Sequence, residues 1–304
     1  MTLRNGFWAR ELADHHVQLR QAAIAANGDL YVESADLSLP KSSVSRILLA
    51  NFDQSVRLRR AGVSFDFRDF GRPIVEVDGI RFLLSYAQDL NIIEEVFLDR
   101  IYHVAVQEAA VVVDIGMNVA VASLFFARNG FQVFAYEPFG QTFKRAQENL
   151  ALNPQLSKQV LAYQFGLGRE RRVVETAYCA KSSPACGLFT GPHSFKEDNE
   201  VISEAILIES VCEVLGEILG RVGSKTIIMK IDCEGSEYEI MQALESGTML
   251  HCVSVFLIEW HRLAPFHDPS KLVEILLNGG FVIIIRGDFS KEAGMIIAVS
   301  THRR

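Results

Sequence analysis

Val111-Val112-Val113-Asp114-Ile115-Gly116-Met117-Asn118-Val119-Ala120, followed by Ala135-Tyr136-Glu137-Pro138, decides how this chain is read. An apolar β-branched run ends in an acid, a glycine and a small polar turn. An amphipathic segment, Val121 to Asn129, comes next. A second apolar run, Phe131 to Tyr136, ends in Glu137. Strand, tight turn, helix, strand and acid form the first half of a nucleotide-binding βαβ unit. Glu137 stands 23 residues after Asp114, the spacing at which a carboxylate takes both hydroxyls of a ribose.

Outward from that unit, strands and helices alternate to the end of the chain. Strands are expected over 110–115, 131–136, 160–165, 226–231 and 253–258. Helices are expected over 119–129, 139–151, 211–219, from 237 through Leu244, and 268–277. Asn153-Pro154 breaks the helix before the third strand. Residues 168–210 leave this rhythm: Val173–Tyr178 and Ala205–Ile208 read as strands around a Ser/Pro/Gly-rich loop, 181–199, long enough to be a lid. The last two strands, 281–285 and 295–299, are joined by too few residues for a crossover helix, so they should pair antiparallel. The fold class is therefore α/β, a Rossmann-like seven-stranded sheet with an antiparallel final hairpin. Such a closing hairpin separates methyltransferases from dehydrogenases.

Residues 1–100 follow another pattern and are expected to form an N-terminal α/β appendage, with 101–304 as the main domain. Helical spacing runs from Phe7 to Ala26, carrying His15-His16, and again over 44–60 and 89–101. Residues 38–43 read as a loop around Pro40. Alternation over 74–84 around Asp78-Gly79 marks a hairpin.

Composition narrows the function. The chain has 304 residues, 49% hydrophobic and 22% charged, enough for a sizeable core. A net charge of −7 argues against a nucleic-acid backbone binder, and the Arg57, Arg59, Arg60 cluster reads as a solvated helix face. Five cysteines without a CxxC pair fit reduced thiols rather than a disulfide framework. No apolar run reaches the length of a membrane helix, and charges interrupt any signal-peptide core near the N-terminus. A cytoplasmic protein is expected, with self-association left open.

The first turn lacks the second and third glycines of G-x-G-x-x-G. Met117 and Val119 stand where amides would have to approach a pyrophosphate, which disfavours NAD and FAD. S-adenosylmethionine has no phosphate. Asp114 can accept from its ammonium, Gly116 lets the backbone pass close to the ligand, and Glu137 can bind the ribose.

Asp114-Ile-Gly-Met-Asn118, Tyr136-Glu137-Pro138 and Lys230-Ile-Asp232-Cys-Glu234-Gly235-Ser-Glu237 together resemble the FkbM family of S-adenosylmethionine-dependent methyltransferases, as does the lead-in Glu95-Val96-Phe97 with Tyr102. The similarity spans roughly 85–300. The family's first turn usually reads G-A-N-x-G; here Met117 and Ala120 replace alanine and the second glycine. The resemblance implies a class I methyltransferase fold, S-adenosyl-L-methionine as cofactor, and methyl transfer to oxygen, often on a sugar or secondary metabolite. The expected cofactor-binding set is Asp114, Gly116, Asn118, Glu137, Pro138 and Asp232.

Methyl transfer to a hydroxyl needs a group that takes its proton. Asp232 is the first candidate, with Glu234 beside it. His261, after the fifth strand of the alternation, suits a general base by its ordinary pKa, with Glu259 fixing its tautomer. Asp232, Glu234 and His261 also offer oxygen and nitrogen ligands, but their sequence spacing alone assigns no metal. The acceptor is expected to be a small-molecule or glycan hydroxyl selected by the appendage. Two other readings remain open: a non-catalytic methyltransferase-fold binding module and an NAD-dependent oxidoreductase.

Overall fold

The structure, a computed structural model, describes residues 6–17, 22–68, 71–104, 110–189, 200–223 and 225–301. The chain divides into two compact units, 1–100 and 101–304.

The first unit contains α1 (Phe7–Asp14), β1 (Ala22–Ile24), β2 (Leu30–Val32), β3 (Leu37–Leu39), α2 (Arg46–Ala50), α3 (Phe52–Arg60), β4 (Ser64–Asp66), β5 (Ile74–Val77), β6 (Ile80–Leu83) and α4 (Asp89–Ile93). Strands β1-β2-β3 and β4-β5-β6 make two small antiparallel sheets. The hairpin at Asp78-Gly79 forms as expected, with both residues at positive φ. Helical spacing overreached elsewhere. The helix expected over 7–26 ends at Asp14, and residues 22–24 are a strand held by β2. His15 caps that helix and His16 turns left-handed after it, so neither lies on a helical face. Leu37-Ser38-Leu39, whose first and last residues are buried, is a strand rather than the start of a loop. The helix over 44–60 breaks at Asn51, and the one over 89–101 leaves α-helical geometry after Ile93, passing into a π-helical segment, Glu94–Leu98. The arginine cluster is consumed locally: Arg57 pairs with Glu94, Arg59 with Asp36, and Arg60 donates to the Ser34 carbonyl.

The second unit is built on β7 (Ala110–Ile115), α5 (Val121–Arg128), β8 (Gln132–Tyr136), α6 (Gly140–Leu152), β9 (Val160–Tyr163), β10 (Gly166–Gly168), β11 (Arg172–Tyr178), β12 (Ile202–Ser210), α7 (Val211–Val222), β13 (Thr226–Ile231), α8 (Glu237–Ser246), β14 (Val255–His261), α9 (Pro269–Asn278), β15 (Phe281–Arg286) and β16 (Ala293–Ser300). Seven strands form one sheet in the order β15-β16-β14-β13-β7-β8-β9. All neighbours are parallel except β16, which runs antiparallel to both β14 and β15. The expected closing hairpin is present.

Every residue of β7 is buried, as a central parallel strand covered on both faces requires. Each such branched side chain contributes about 1.5–3 kcal/mol. Two helices start on side-chain caps: Ser210 accepts from the Glu213 amide, and Asp268 from the Ser270 amide ahead of α9 with Pro269 at its first position. The segment outside the βα rhythm makes its own sheet, β10-β12-β11, with β11 and β12 antiparallel. Residues 190–199 of the expected 181–199 lid lie outside the described residues; 180–185 form a short 3-10 turn. All five cysteines are free. No helix among the described residues is long and apolar enough to cross a membrane.

The strand order reverses between β7 and β13. Open α/β sheets bind ligands in the crevice outside the carboxyl ends of the strands at such a reversal. The two motif turns, 115–120 and 232–236, leave the sheet there.

Candidate active site

The first turn is held from behind. The N–H groups of Gly116 and Met117 both donate to the Tyr136 carbonyl, at 3.1 and 2.9 Å. Gly116 has φ +82°, and a Cβ placed there would overlap the Asp232 carbonyl. The glycine therefore serves the contact between the two motif turns, a different requirement from the close ligand approach expected of it. Met117 and Val119 are buried, so their side chains turn away into the core. Asn118 and Ala120 both adopt left-handed backbone angles, φ +51° and +67°.

Glu137 ends β8 facing this turn. Its Oε2 accepts from the Asn118 amide and its Oε1 from the Phe139 amide, both at 3.0 Å. Burial pushes its carboxyl up to about 7, against the pull of those two amides and of Lys230. Pro138 is half-buried between Glu137 and Phe139. The side-chain oxygen of Asn118 is buried at the turn without a hydrogen-bond partner, an acceptor for a donor of a bound ligand.

Asp114, an expected cofactor ligand, is contacted from within the protein. It is 0% exposed; Ser123 donates to its Oδ2 at 2.6 Å, and the Lys230 ammonium lies 3.0 Å from Oδ1. Strand register explains this: Lys230 stands directly opposite Asp114 in the β7–β13 ladder. Asp114 Oδ1 and Asn118 Oδ1 are both buried without a hydrogen-bond partner, and the Lys230 ammonium offsets the charge of the first. Lys230, itself 2% exposed, also donates to the Gly116 carbonyl at 2.6 Å and stands 3.5 Å from Asp232 Oδ2. Burial opposes its charge, but Asp114 and Asp232 outweigh that and raise its pKa. This lysine ties the two motif turns together, a role the sequence reading did not assign. The signal was legible: a lysine ending the apolar run Ile227-Ile228-Met229 of a central strand must meet an acid.

The second turn gathers carboxylates. Tyr102 donates to Asp232 Oδ2 at 2.9 Å. Glu237 is fully buried; its Oε1 accepts the His261 backbone N–H at 2.6 Å, and its Oε2 the Gly235 N–H at 2.8 Å. Glu237 thus fastens the tip of β14 to the turn. His261 is the last residue of β14, which runs to 261 rather than 258 because Glu259, Trp260 and His261 stay paired with β16. Its Nδ1 lies 3.3 Å from Glu237 Oε1, and its Nε2 lies 3.5 Å from Glu234 and 3.9 Å from Glu259. Burial would lower the imidazole's pKa; the Glu237 contact and the charges of Glu234, Glu237 and Asp232 override it and push it up to about 10. In this arrangement the imidazole is ringed by carboxylates that favour its protonated form. Burial pushes Glu234 up to about 7, with His261 pulling the other way. The backbone of Gly187 packs against Glu234, and Phe189 packs on His267 at 4.5 Å beside Gly235. The described end of the 181–199 segment therefore covers the second turn.

The expected catalytic residues Asp232, Glu234 and His261 come together at the carboxyl ends of β13 and β14. Asn118, Glu137 and Pro138 line the neighbouring end of β8. A sheet of this strand order, with its antiparallel last pair, is the class I methyltransferase fold. The sequence profile of the methyltransferase FkbM domain matches residues 114–283, more than half of the chain. The chain belongs to the FkbM family of S-adenosylmethionine-dependent methyltransferases. None of the curated proteins matches it.

Among solved structures it is similar to a methyltransferase FkbM from Methylobacillus flagellatus at 15% identity and a TM-score of 0.44, covering 70% of this chain and 54% of that one. It is also similar to precorrin-6y C5,15-methyltransferase from Geobacter metallireducens, at 12% identity and a TM-score of 0.37, covering 72% and 90%. The N-terminal domain of human METTL16 in complex with SAH is similar at 14% identity and a TM-score of 0.38, covering 100% and 99%. The chain thus spans about half the length of the first of these proteins.

Proposed function

We propose that this protein transfers the methyl group of S-adenosylmethionine to a hydroxyl oxygen of a small molecule or glycan. The observation that carries this reading is the juxtaposition of two unlike sites on one sheet edge. One has a buried carboxyl at a strand end, Glu137, and an unsatisfied acceptor, Asn118 Oδ1. The other is a half-open carboxylate group, Asp232 and Glu234, at the adjoining strand ends. Glu137 takes the ribose hydroxyls, Asn118 the ammonium, and Gly116 and Pro138 shape the turn between them.

Transfer is an in-line displacement: the acceptor oxygen forms the new O–C bond as the C–S bond breaks and S-adenosylhomocysteine leaves. The hydroxyl proton must leave with it, and Asp232 and Glu234 are the carboxylates placed to orient the hydroxyl and receive that proton. His261 and Glu237 hold those carboxylates in position. The 1–100 unit selects the acceptor.

Isothermal calorimetry with S-adenosylhomocysteine tests the donor half. One-to-one binding is expected, weakened about tenfold or more in Glu137→Ala. No heat at millimolar ligand overturns it. Release of S-adenosylhomocysteine against panels of polyols and of amines tests the acceptor half; turnover confined to amines contradicts transfer to oxygen.

A further inference from the structure

The geometry points to a divalent-cation site formed by Asp232, Glu234 and His261, at which an Mn2+-type ion holds the oxygens of a polyhydroxylated acceptor. The inference rests on the reading that these strand ends face the acceptor. The three side chains each bring one ligand atom to a common point, all within 4.8 Å of one another. Bonds of about 2.1–2.2 Å place ligand atoms about 3 Å apart side by side and about 4.3 Å apart across the ion. Side-chain adjustment then draws the three atoms onto the ion.

The histidine supplies an independent sign. His261 is 7% exposed, and its ring is oriented by a carboxylate: Nδ1 faces Glu237 Oε1, itself fixed by the Gly235 and His261 amides through the two carboxylate oxygens. Metal-ligating histidines characteristically give one ring nitrogen to such a carboxylate and the other to the ion. The other nitrogen, Nε2, points into the cluster, where the nearest oxygens stand at 3.5 Å (Glu234) and 3.9 Å (Glu259), and the ion takes the place of any proton there, which is released to solvent. Among the described residues, Lys230 and His261 are the cations that pair with Asp232 and Glu234.

The donor set selects the ion and the substrate. Two carboxylate oxygens and one imidazole nitrogen suit Mn2+ better than an all-oxygen Ca2+ site or a thiolate site. Three protein ligands leave open positions, and two neighbouring oxygens on one acceptor, a vicinal diol or a hydroxy-carboxylate, fill them together. That places the hydroxyl beside the donor turn, bound to an ion that lowers its pKa, with the uncoordinated carboxylate oxygens of Asp232 and Glu234 left to receive its proton.

The test is calorimetric titration of EDTA-treated full chain with MnCl2, without donor or acceptor. One saturable site is expected. Glu234→Gln and His261→Gln each weaken it about tenfold or more, while Glu245→Gln, an exposed change on α8, leaves it intact. Titration of the same samples with S-adenosylhomocysteine separates the two readings: retained donor binding without Mn2+ binding overturns the cation site alone, and Mn2+ binding without donor binding overturns the donor assignment alone. Should the variants not fold, the wild-type protein decides. Electron spin-echo spectra of bound Mn2+ are expected to show coupling to one imidazole nitrogen, and its absence overturns the assignment. So does Mn2+ affinity unchanged in both variants.

Discussion

Two charge clusters share the end of β13 and differ in almost every respect. Around Lys230 everything is closed: its ammonium meets Asp114 and the Gly116 carbonyl, and Ser123 takes the remaining Asp114 oxygen. Two residues later, around Asp232, the chain gathers Glu234, Glu237 and Glu259 about one imidazole and leaves part of the group open to solvent. A closed, balanced cluster has spent its charges on holding backbone together. An open cluster with surplus negative charge keeps chemistry in reserve, and burial there pushes Glu234 into the range of a group that exchanges protons near neutrality. The difference separates the part of the motif that builds the site from the part that works on a substrate.

The largest effect should come from opening the closed cluster. Lys230→Met leaves Asp114 buried without a counter-charge and is expected to cost about 3–5 kcal/mol in denaturant unfolding. A cost below about 1 kcal/mol would erase the distinction between the clusters. Next is Gly116→Ala, which forces a side chain into a left-handed backbone position and against the Asp232 carbonyl; a loss of at least about 2 kcal/mol is expected in the same measurement.

Glu137 gives a pH signature. Its folded-state pKa, about 7, is above the ordinary 4.5, so its contribution to folding is fully present below pH 4.5 and is lost as pH rises through about 7. Donor binding runs the other way. Protonation costs one of the amide bonds to the carboxylate, so affinity for S-adenosylhomocysteine should fall below pH 7, by up to about tenfold per unit. Lys230 and Asp114 face the same carboxyl, and Glu137→Gln should flatten the profile while they remain. The smallest effect belongs to the open cluster: Glu234→Gln should change stability by less than about 1 kcal/mol while turnover falls, the inverse of Lys230→Met.

Most of the second unit could be read from the chain because each central strand is a continuous apolar run closed by a turn signal. Val111–Val113 and Ile227–Met229 are such runs, and the short 287–292 link forced the last pair to be antiparallel. The membership of the site was also legible: Asp232, Glu234 and His261 converge, as do Asn118 and Glu137. Their surroundings were not: the neighbour of Asp114 across the sheet depends on register, which places Lys230 opposite it and which no local pattern reveals. The carboxylates around His261 likewise come from two other elements. The three-residue β1 has no local signature for a similar reason, since only its pairing with β2 makes it a strand.

The structure of the protein with S-adenosylhomocysteine bound tests the division most directly. The ribose hydroxyls are expected on Glu137, the ammonium on Asn118 Oδ1 with Asp114 untouched, and the sulfur's open face towards Asp232 and Glu234. A ligand whose ammonium reaches Asp114, or whose sulfur faces away from the Asp232–Glu234–His261 group, would contradict it.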